Sequence, residues 1–350
     1  MRTIRFGLIG AGSIATITAR ELRGHANVEL RAVADPSDTR RAALASSLEI
    51  GACYAHADEL LRDPEIDAVY IAVPNKLHAS LASDALTAGK HVLLDKPFAM
   101  SAVEAQQVTD TAAASGKTLM LGMNQRFDAN VQRAKQMFEA GTLGDVYHAK
   151  AFWRRRSGIP RIGSWFTHKA TSGGGALLDI GVHMLDTSLY VLGNFRPVSV
   201  TGATYTRFGQ RGLGDGDWGR SEREHTKFDV DDFATALIRL DTGTTISLDA
   251  AWALHQPRGN EMGIYLYGED AGLSVYEDLL YRQGENGEYY SIEGSNIGEL
   301  RYPHCSRAHH FVNVLLGEEE PAVTLDEALS VQRILDAIYL SSRTGEEVRL

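Results

Sequence analysis

Two stretches of this chain hold side chains whose types and spacing could carry proton and hydride chemistry. The first is Asp95-Lys96-Pro97, which closes the apolar run HVLLD. A lysine at the carboxyl end of a central strand faces a ligand crevice, and a partly desolvated ammonium there suits proton work or the orienting of a hydroxyl. The second runs from Ser172 to Asp186, SGGGALLDIGVHMLD. Read as one α-helix at about 100° per residue, Asp179, His183 and Asp186 share a stripe that Tyr190 continues. The rest of that helix is apolar, so the stripe should be buried, and a buried carboxylate or imidazole must be paired or functional. Gly181 costs a helix roughly 1 kcal/mol against alanine, which a cofactor ring or a second backbone passing close would explain. The competing reading is a structural pair between His183 and Asp179 or Asp186. The separate presence of Lys96 favours function.

The hydride acceptor has its own signature. The run IRFGLI leads into Gly10-Ala11-Gly12-Ser13-Ile14-Ala15, a G-x-G-x-x-A fingerprint opening a helix. Gly10 permits the tight turn, Gly12 lets the backbone approach a pyrophosphate, and Ala15 lets helix and strand pack closely. The helix N-terminus, from Ser13 and Ile14, offers free N–H groups and partial positive charge to the phosphates. The second apolar run, VELRAVAD, ends in Asp35, whose carboxylate can bond both ribose hydroxyls and would repel a 2′-phosphate. NAD is therefore favoured over NADP. Pro74, Asn75 and His78 follow the fourth strand and, with Lys96, belong along the same crevice; a solvent-facing His78 is the alternative.

These residues need elements to hold them. From Thr3 to about Gly122, short apolar runs alternate with helical stretches (Ala11–Leu22, Thr39–Leu48, Lys76–Ala88, Ala102–Ala114), which predicts a doubly wound parallel sheet. Beyond it the texture changes. Helices are expected over about Asn130–Ala140, Gly175–Leu192, Ser306–Leu316 and Leu325–Ser342. Alternating runs such as FATALIRL and TTISLDAAWAL, joined at Asp241-Thr242-Gly243, predict a largely antiparallel open sheet. The fold class is α/β: a Rossmann domain over 1–122 and a second α/β domain over 123–350. Gly209–Lys227, rich in glycine and charge, reads as a mobile loop.

The bulk numbers narrow the field. A chain of 350 residues allows about two domains, and its composition of 44% hydrophobic and 23% charged residues is that of a globular protein. A net charge of −10 argues against nucleic acid as a partner. Cys53 and Cys305 make neither a zinc motif nor a disulfide framework. No leader precedes the first strand and no apolar run approaches the ~18 residues of a membrane span, so a cytoplasmic location is expected. His304, His309 and His310 could suggest a metal, but neighbours on a helix diverge and no carboxylate partner is evident, so none is expected.

GLIGAGSIA, VPNKLHA, the DKP tripeptide, GGGALLDIGVHMLD and the terminal IYLSSRTGEEV together resemble the glucose-fructose oxidoreductase / inositol dehydrogenase (Gfo/Idh/MocA) family over essentially the whole chain. The family's usual tripeptide is Glu-Lys-Pro; here Asp95 stands one methylene shorter, which puts the support of the lysine in question more than the lysine itself. The resemblance implies Lys96, Asp179 and His183 as the catalytic group, a sugar or cyclitol substrate, and homodimers or homotetramers through the C-terminal sheet. In the mechanism it suggests, His183 takes a hydroxyl proton, Lys96 bonds the same oxygen and Asp179 orients the imidazole. It also implies that the strand from Tyr147 and the following loop face the substrate. Alternation puts Arg154 and Arg156 on one face, with Trp165 and Lys169 in the loop as further candidates. Asn124 and Arg126 are candidates at the domain junction. Two other functions fit the same scaffold: an NAD-retaining glycosidase or lyase acting by transient oxidation, and a non-catalytic dinucleotide-binding regulator.

Overall fold

The computed structural model describes residues 2–216, 218, 227–284, 286–293 and 299–350. The first third alternates as β1 (Ile4–Ile9), α1 (Ser13–Arg23), β2 (Val28–Ala34), α2 (Asp38–Leu48), β3 (Ala52–Tyr54), α3 (Ala57–Leu61), β4 (Ala68–Ile71), α4 (His78–Thr87), β5 (His91–Leu94), α5 (Ala102–Ser115) and β6 (Leu119–Leu121). All six strands are parallel, in the order β3-β2-β1-β4-β5-β6. Every residue of β4 is buried, so helices cover both faces of this sheet, as a parallel sheet requires. Strand order reverses between β1 and β4, and a crevice for a ligand opens there, beyond the strands' carboxyl ends.

The second part continues as α6 (Ala129–Glu139), β7 (Val146–Arg155), β8 (Ile159–Pro160), α7 (Lys169–Ser172), α8 (Val182–Leu192), β9 (Pro197–Tyr205), β10 (Asp215–Gly216), β11 (Phe233–Leu240), β12 (Thr245–Ala251), β13 (Asn260–Gly268), β14 (Gly272–Ser274), β15 (Leu279–Gln283), β16 (Tyr289–Glu293), α9 (Arg307–Leu316), α10 (Leu325–Thr344) and β17 (Val348–Arg349). Nine strands form one sheet, β16-β15-β14-β13-β7-β12-β11-β9-β17. It is antiparallel except where β7 and β12 run parallel. One face is apolar and packed under α8 and α10: Ala149, Ala151, Ile238, Ile246, Leu248, Ile264 and Leu266 are all buried. The opposite face exposes Lys150, Leu237 and Tyr267. The expected turn joins β11 to β12, with Gly243 at a φ of 89°.

The last two helices tie the sheets together. α9 returns to the Rossmann sheet, where Phe311 packs edge-on to Phe6. α10, capped by Thr324 with Glu327 completing the capping box, lies against both β9 and α5. Of the loop expected over Gly209–Lys227, residues 217 and 219–226 lie outside the described residues.

The helix expected over Gly175–Leu192 differs in one respect. A π-helical turn from Leu177 to Gly181 precedes α8. A Cβ on Gly181 would stand 3.0 Å from the Ala250 side chain. The glycine therefore serves close packing on β12, and no cofactor is needed to explain it. Among the described residues one helical stretch, Lys169–Leu192, is long and apolar enough by composition to cross a membrane, and it is largely buried inside the fold. Asp179, His183 and Asp186 interrupt its apolar run, which is why an uninterrupted span is not seen in the sequence.

Candidate active site

Gly10 leaves β1 with a φ of 101°, and a Cβ there would overlap the Ala72 carbonyl oxygen. A Cβ on Gly12 would meet nothing within 4 Å, so the loop is open beside the first turn of α1. No side chain caps that turn, and its free N–H groups form a cradle suited to a diphosphate. Ala15 is fully buried, as close helix–strand packing requires. Asp35 is held by the backbone: Ala11 N–H donates to Oδ2 and Ser37 N–H to Oδ1, both at 2.8 Å, and the Arg40 guanidinium lies 3.3 Å from Oδ1. Oδ2 keeps a lone pair for a ribose hydroxyl, so these residues fit a dinucleotide.

The same crevice, about 630 Å³, continues past Pro74, Asn75 and Lys96 to Asp179 and His183. Lys96 Nζ donates to the Asp179 main-chain oxygen at 2.7 Å and to Asp179 Oδ1 at 2.8 Å. Asp179 Oδ2 accepts from the indole N–H of the buried Trp252 at 2.8 Å. Burial pushes the Asp179 carboxyl up, but the Lys96 ammonium, the Arg155 guanidinium and the Trp252 N–H outweigh it and hold it below the usual carboxylate range. His183 Nδ1 is buried without a hydrogen-bond partner. Burial, reinforced by the Lys96 charge, pushes this imidazole down to about 3, so it is neutral at physiological pH.

No hydrogen bond joins His183 to Asp179. The expected stripe is broken because the wider π turn displaces Asp179 relative to α8. Asp186 sits on another side, paired with Arg126, and the Tyr190 ring lies against that guanidinium.

Asp95, the residue that departs from the family tripeptide, is buried in a polar network. Its Oδ1 accepts from the Lys96 N–H at 2.7 Å and its Oδ2 from the Tyr70 hydroxyl at 2.6 Å. Arg307, arriving from α9, lies 3.4 Å from both oxygens and meets the shorter carboxylate. Asn75 spans the two halves of the crevice by donating to the Ser172 carbonyl at 2.8 Å. His78 is buried, not solvent-facing. Its ring nitrogens lie 2.7 Å from the Pro97 carbonyl and 3.0 Å from that of Val73, so it braces the backbone around Lys96.

The expected substrate residues divide. Asn124 and Trp165 line the crevice, the latter stacked on Phe166 with ring centroids 3.8 Å apart. Arg126 does not. It is fully buried, forked onto Asp186 and bonded to Glu327 and the Ala322 carbonyl. Arg154 lies on the open face of the sheet between Asp249 and Glu261. Arg156 is exposed and bonds the Gln256 and Pro257 carbonyls. Lys169 is exposed at the start of α7. On β7 the crevice is lined from the opposite face to Arg154, by Trp153 and Arg155. Trp153, Arg155, Trp252 and Arg307 carry no local sequence signal; they become site residues only through β7 and β12 register and the return of α9.

The histidine cluster also needs correcting. Glu319 supplies the carboxylate missing from the sequence pattern, within reach of His304 and His310. Both imidazoles are already committed, however. His310 faces Glu319 through Nδ1 and accepts the Ala322 N–H at Nε2, and His304 faces Glu319 through Nε2 while accepting the Ser306 N–H at Nδ1. A metal would have to displace a proton from a ring whose other nitrogen is already an acceptor, so the cluster reads as a hydrogen-bonded staple.

Residues 4–123 match the oxidoreductase family with an NAD-binding Rossmann fold, and residues 131–274 match the GFO/IDH/MocA C-terminal domain. A D-glucoside 3-dehydrogenase of Escherichia coli (strain K12) is 30% identical over 350 residues, spanning 99% of this chain and 97% of that protein. A levoglucosan dehydrogenase of Pseudarthrobacter phenanthrenivorans is 31% identical over 222 residues, 61% of this chain and 56% of its own. Among solved structures, an NAD-binding protein from Listeria innocua superimposes with a TM-score of 0.82 at 26% identity, covering 99% of this chain and 97% of that one. With a dinucleotide cradle, a lysine–aspartate pair and a neutral histidine in one crevice, this chain belongs to the Gfo/Idh/MocA family of NAD-binding oxidoreductases.

Proposed function

We propose that this protein is an NAD-dependent dehydrogenase acting on a hydroxyl-bearing carbon of a sugar, a cyclitol or a derivative. The observation that carries the reading is one continuous crevice shared by the Gly12 cradle, Asp35, Lys96 and His183. Bound NAD supplies the acceptor for the hydride that leaves the carbinol carbon. His183, neutral and lining the crevice, takes the hydroxyl proton. Lys96 has three N–H donors and spends two on Asp179, so the third is available to the substrate oxygen, where it stabilises the developing negative charge. Asp179 thus positions Lys96 in place of the imidazole role expected for it, and Trp252 positions Asp179. Trp153, Trp165 and Phe166 offer the flat apolar surfaces that a pyranose ring favours. The names of the glucoside and levoglucosan dehydrogenases support the same substrate class.

The reading assigns the cofactor to residues 1–122, and substrate binding and assembly to 123–350. Leu237 and Tyr267 on the open sheet face support a homodimer or homotetramer formed there. A cytoplasmic location accords with an enzyme that draws on the NAD pool.

The test is a panel of free sugars, inositols and glycosides with NAD+ at alkaline pH, read by absorbance of reduced cofactor. Reduction is expected with at least one of them and not with Lys96→Met. A silent panel with cofactor firmly retained would move the weight to the NAD-retaining elimination chemistry. The positioning chain makes a separate prediction. Trp252→Phe keeps an aromatic ring but deletes the N–H, and a hydrogen bond to a charged group contributes about 1.5–3 kcal/mol. A fall in kcat of about tenfold is expected, with the acidic limb of its pH profile moved upward as the Asp179 carboxyl rises. An unmoved limb would remove Trp252 from the mechanism.

A further inference from the structure

Among the described residues, the charged side chains lining the crevice are Asp35, Arg40, Asp95, Lys96, Arg155, Asp179 and Arg307. Three of the cations have a carboxylate within ion-pair distance: Arg40 has Asp35, Lys96 has Asp179 and Arg307 has Asp95. Arg155 has none. Its one side-chain hydrogen bond among the described residues is a long one, 3.3 Å, to the Gly158 carbonyl, and its guanidinium lies over the Trp153 ring, 4.8 Å from the centroid. Trp153 in turn lies 6.1 Å, centroid to centroid, from the His183 ring. The unmatched cation is therefore at the substrate end, on β7, across the crevice from the cradle that suits the dinucleotide's own phosphates. Burial pushes the Arg155 guanidinium down, with Asp179 only partly opposing.

A partly desolvated guanidinium that has no ion-pair partner of its own and feels Asp179 only in competition with Lys96 is costly unless a ligand balances it. Sugar hydroxyls can accept its hydrogen bonds but leave its charge unbalanced. An oxyanion does both, and the planar fork of arginine matches it bidentately. We propose that the substrate is a sugar bearing an anionic substituent, a carboxylate or a phosphate, and that Arg155 is the residue that selects it. The proposal rests on the dehydrogenase reading for the sugar but on Arg155 alone for the charge.

The experiment is calorimetric titration of the NADH-loaded protein with glucose, glucuronate and glucose 6-phosphate, repeated for Arg155→Leu and Arg155→Lys. The two acidic sugars separate the carboxylate from the phosphate. At least one of them is expected to bind tenfold or more tighter than glucose. That advantage should vanish in Arg155→Leu and survive in reduced form in Arg155→Lys, which keeps the charge and guards against misfolding of the leucine variant. Equal affinity for neutral and acidic sugars, no measurable binding of either acid, or an anion preference that persists in Arg155→Leu would each overturn the proposal. Its failure is distinguishable from that of the enzymatic reading. Turnover of neutral sugars without any anion preference would sink Arg155 alone, whereas tight binding of an acid that never yields NADH from NAD+ would sink the dehydrogenase.

Discussion

His183→Ala and Lys96→Met are each expected to lower kcat by about 10²–10⁴, the usual cost of losing a positioned proton-transfer group, with NADH affinity changed far less. The histidine variant is the cleaner of the two. His183 Nδ1 makes no hydrogen bond in the fold, so alanine leaves no buried polar partner stranded. Its melting temperature should stay close to that of the parent, and a loss of rate is then chemical. Lys96→Met also strips Asp179 of its main counter-charge and lets burial raise the carboxyl, so a modest loss of stability should accompany the loss of rate. The pH dependence separates the histidine from an ordinary exposed one. Its folded value of about 3 lies below the unfolded value of about 6.5. The unfolded state therefore binds the extra proton first, and this residue's share of stability is lost as pH falls from about 6.5 toward 3. His183→Ala should flatten acid denaturation in that window. In the parent, kcat/KM should show no histidine-type limb between about pH 5 and 7. Near-normal turnover by both variants would end the assignment.

How much of this was legible in the sequence depends on the range over which each feature is encoded. The cradle is local: Gly10, Gly12 and Ala15 act within one turn of chain, and strand–turn–helix context suffices to place them. Lys96 is nearly as local, because the carboxyl end of a central strand can point only into the crevice. Asp179 and His183 were identifiable as a pair, but their relation was not. Angular arithmetic assumes a regular helix, and the π turn between Leu177 and Gly181 changes the winding at the functional position itself. The arginines fail for a different reason. Alternation along β7 says that Arg154 and Arg155 face opposite ways, but only pairing with β12 and β13 says which face is covered. Arg307 lies 212 positions from Asp95 in sequence, and no pattern within either segment announces their contact. The Asp95 departure from Glu-Lys-Pro was visible, whereas its compensation was not.

Arg126 gives the second large effect, and it is one of stability. Its guanidinium is fully buried between the rings of Tyr190 and Phe195, 4.9 and 5.1 Å from their centroids. It donates to Asp186 at 2.9 and 2.6 Å, to Glu327 at 2.6 Å and to the Ala322 carbonyl at 2.7 Å. Arg126→Met would leave the buried Asp186 carboxylate without its counter-charge, and breaking such a pair typically costs about 3–5 kcal/mol. The urea midpoint should fall accordingly, with KM for sugar and cofactor unchanged in whatever protein remains folded. Replacing both partners, Arg126→Met with Asp186→Leu, removes the stranded charge along with its mate and should recover much of the loss. A residue that touched substrate would behave in the opposite way, raising KM while leaving the midpoint in place. The pair of measurements therefore decides between a buried clasp joining the short 3-10 turn Asn124–Phe127, α8 and α10 and a binding arginine at the domain junction, and the four short hydrogen bonds favour the clasp.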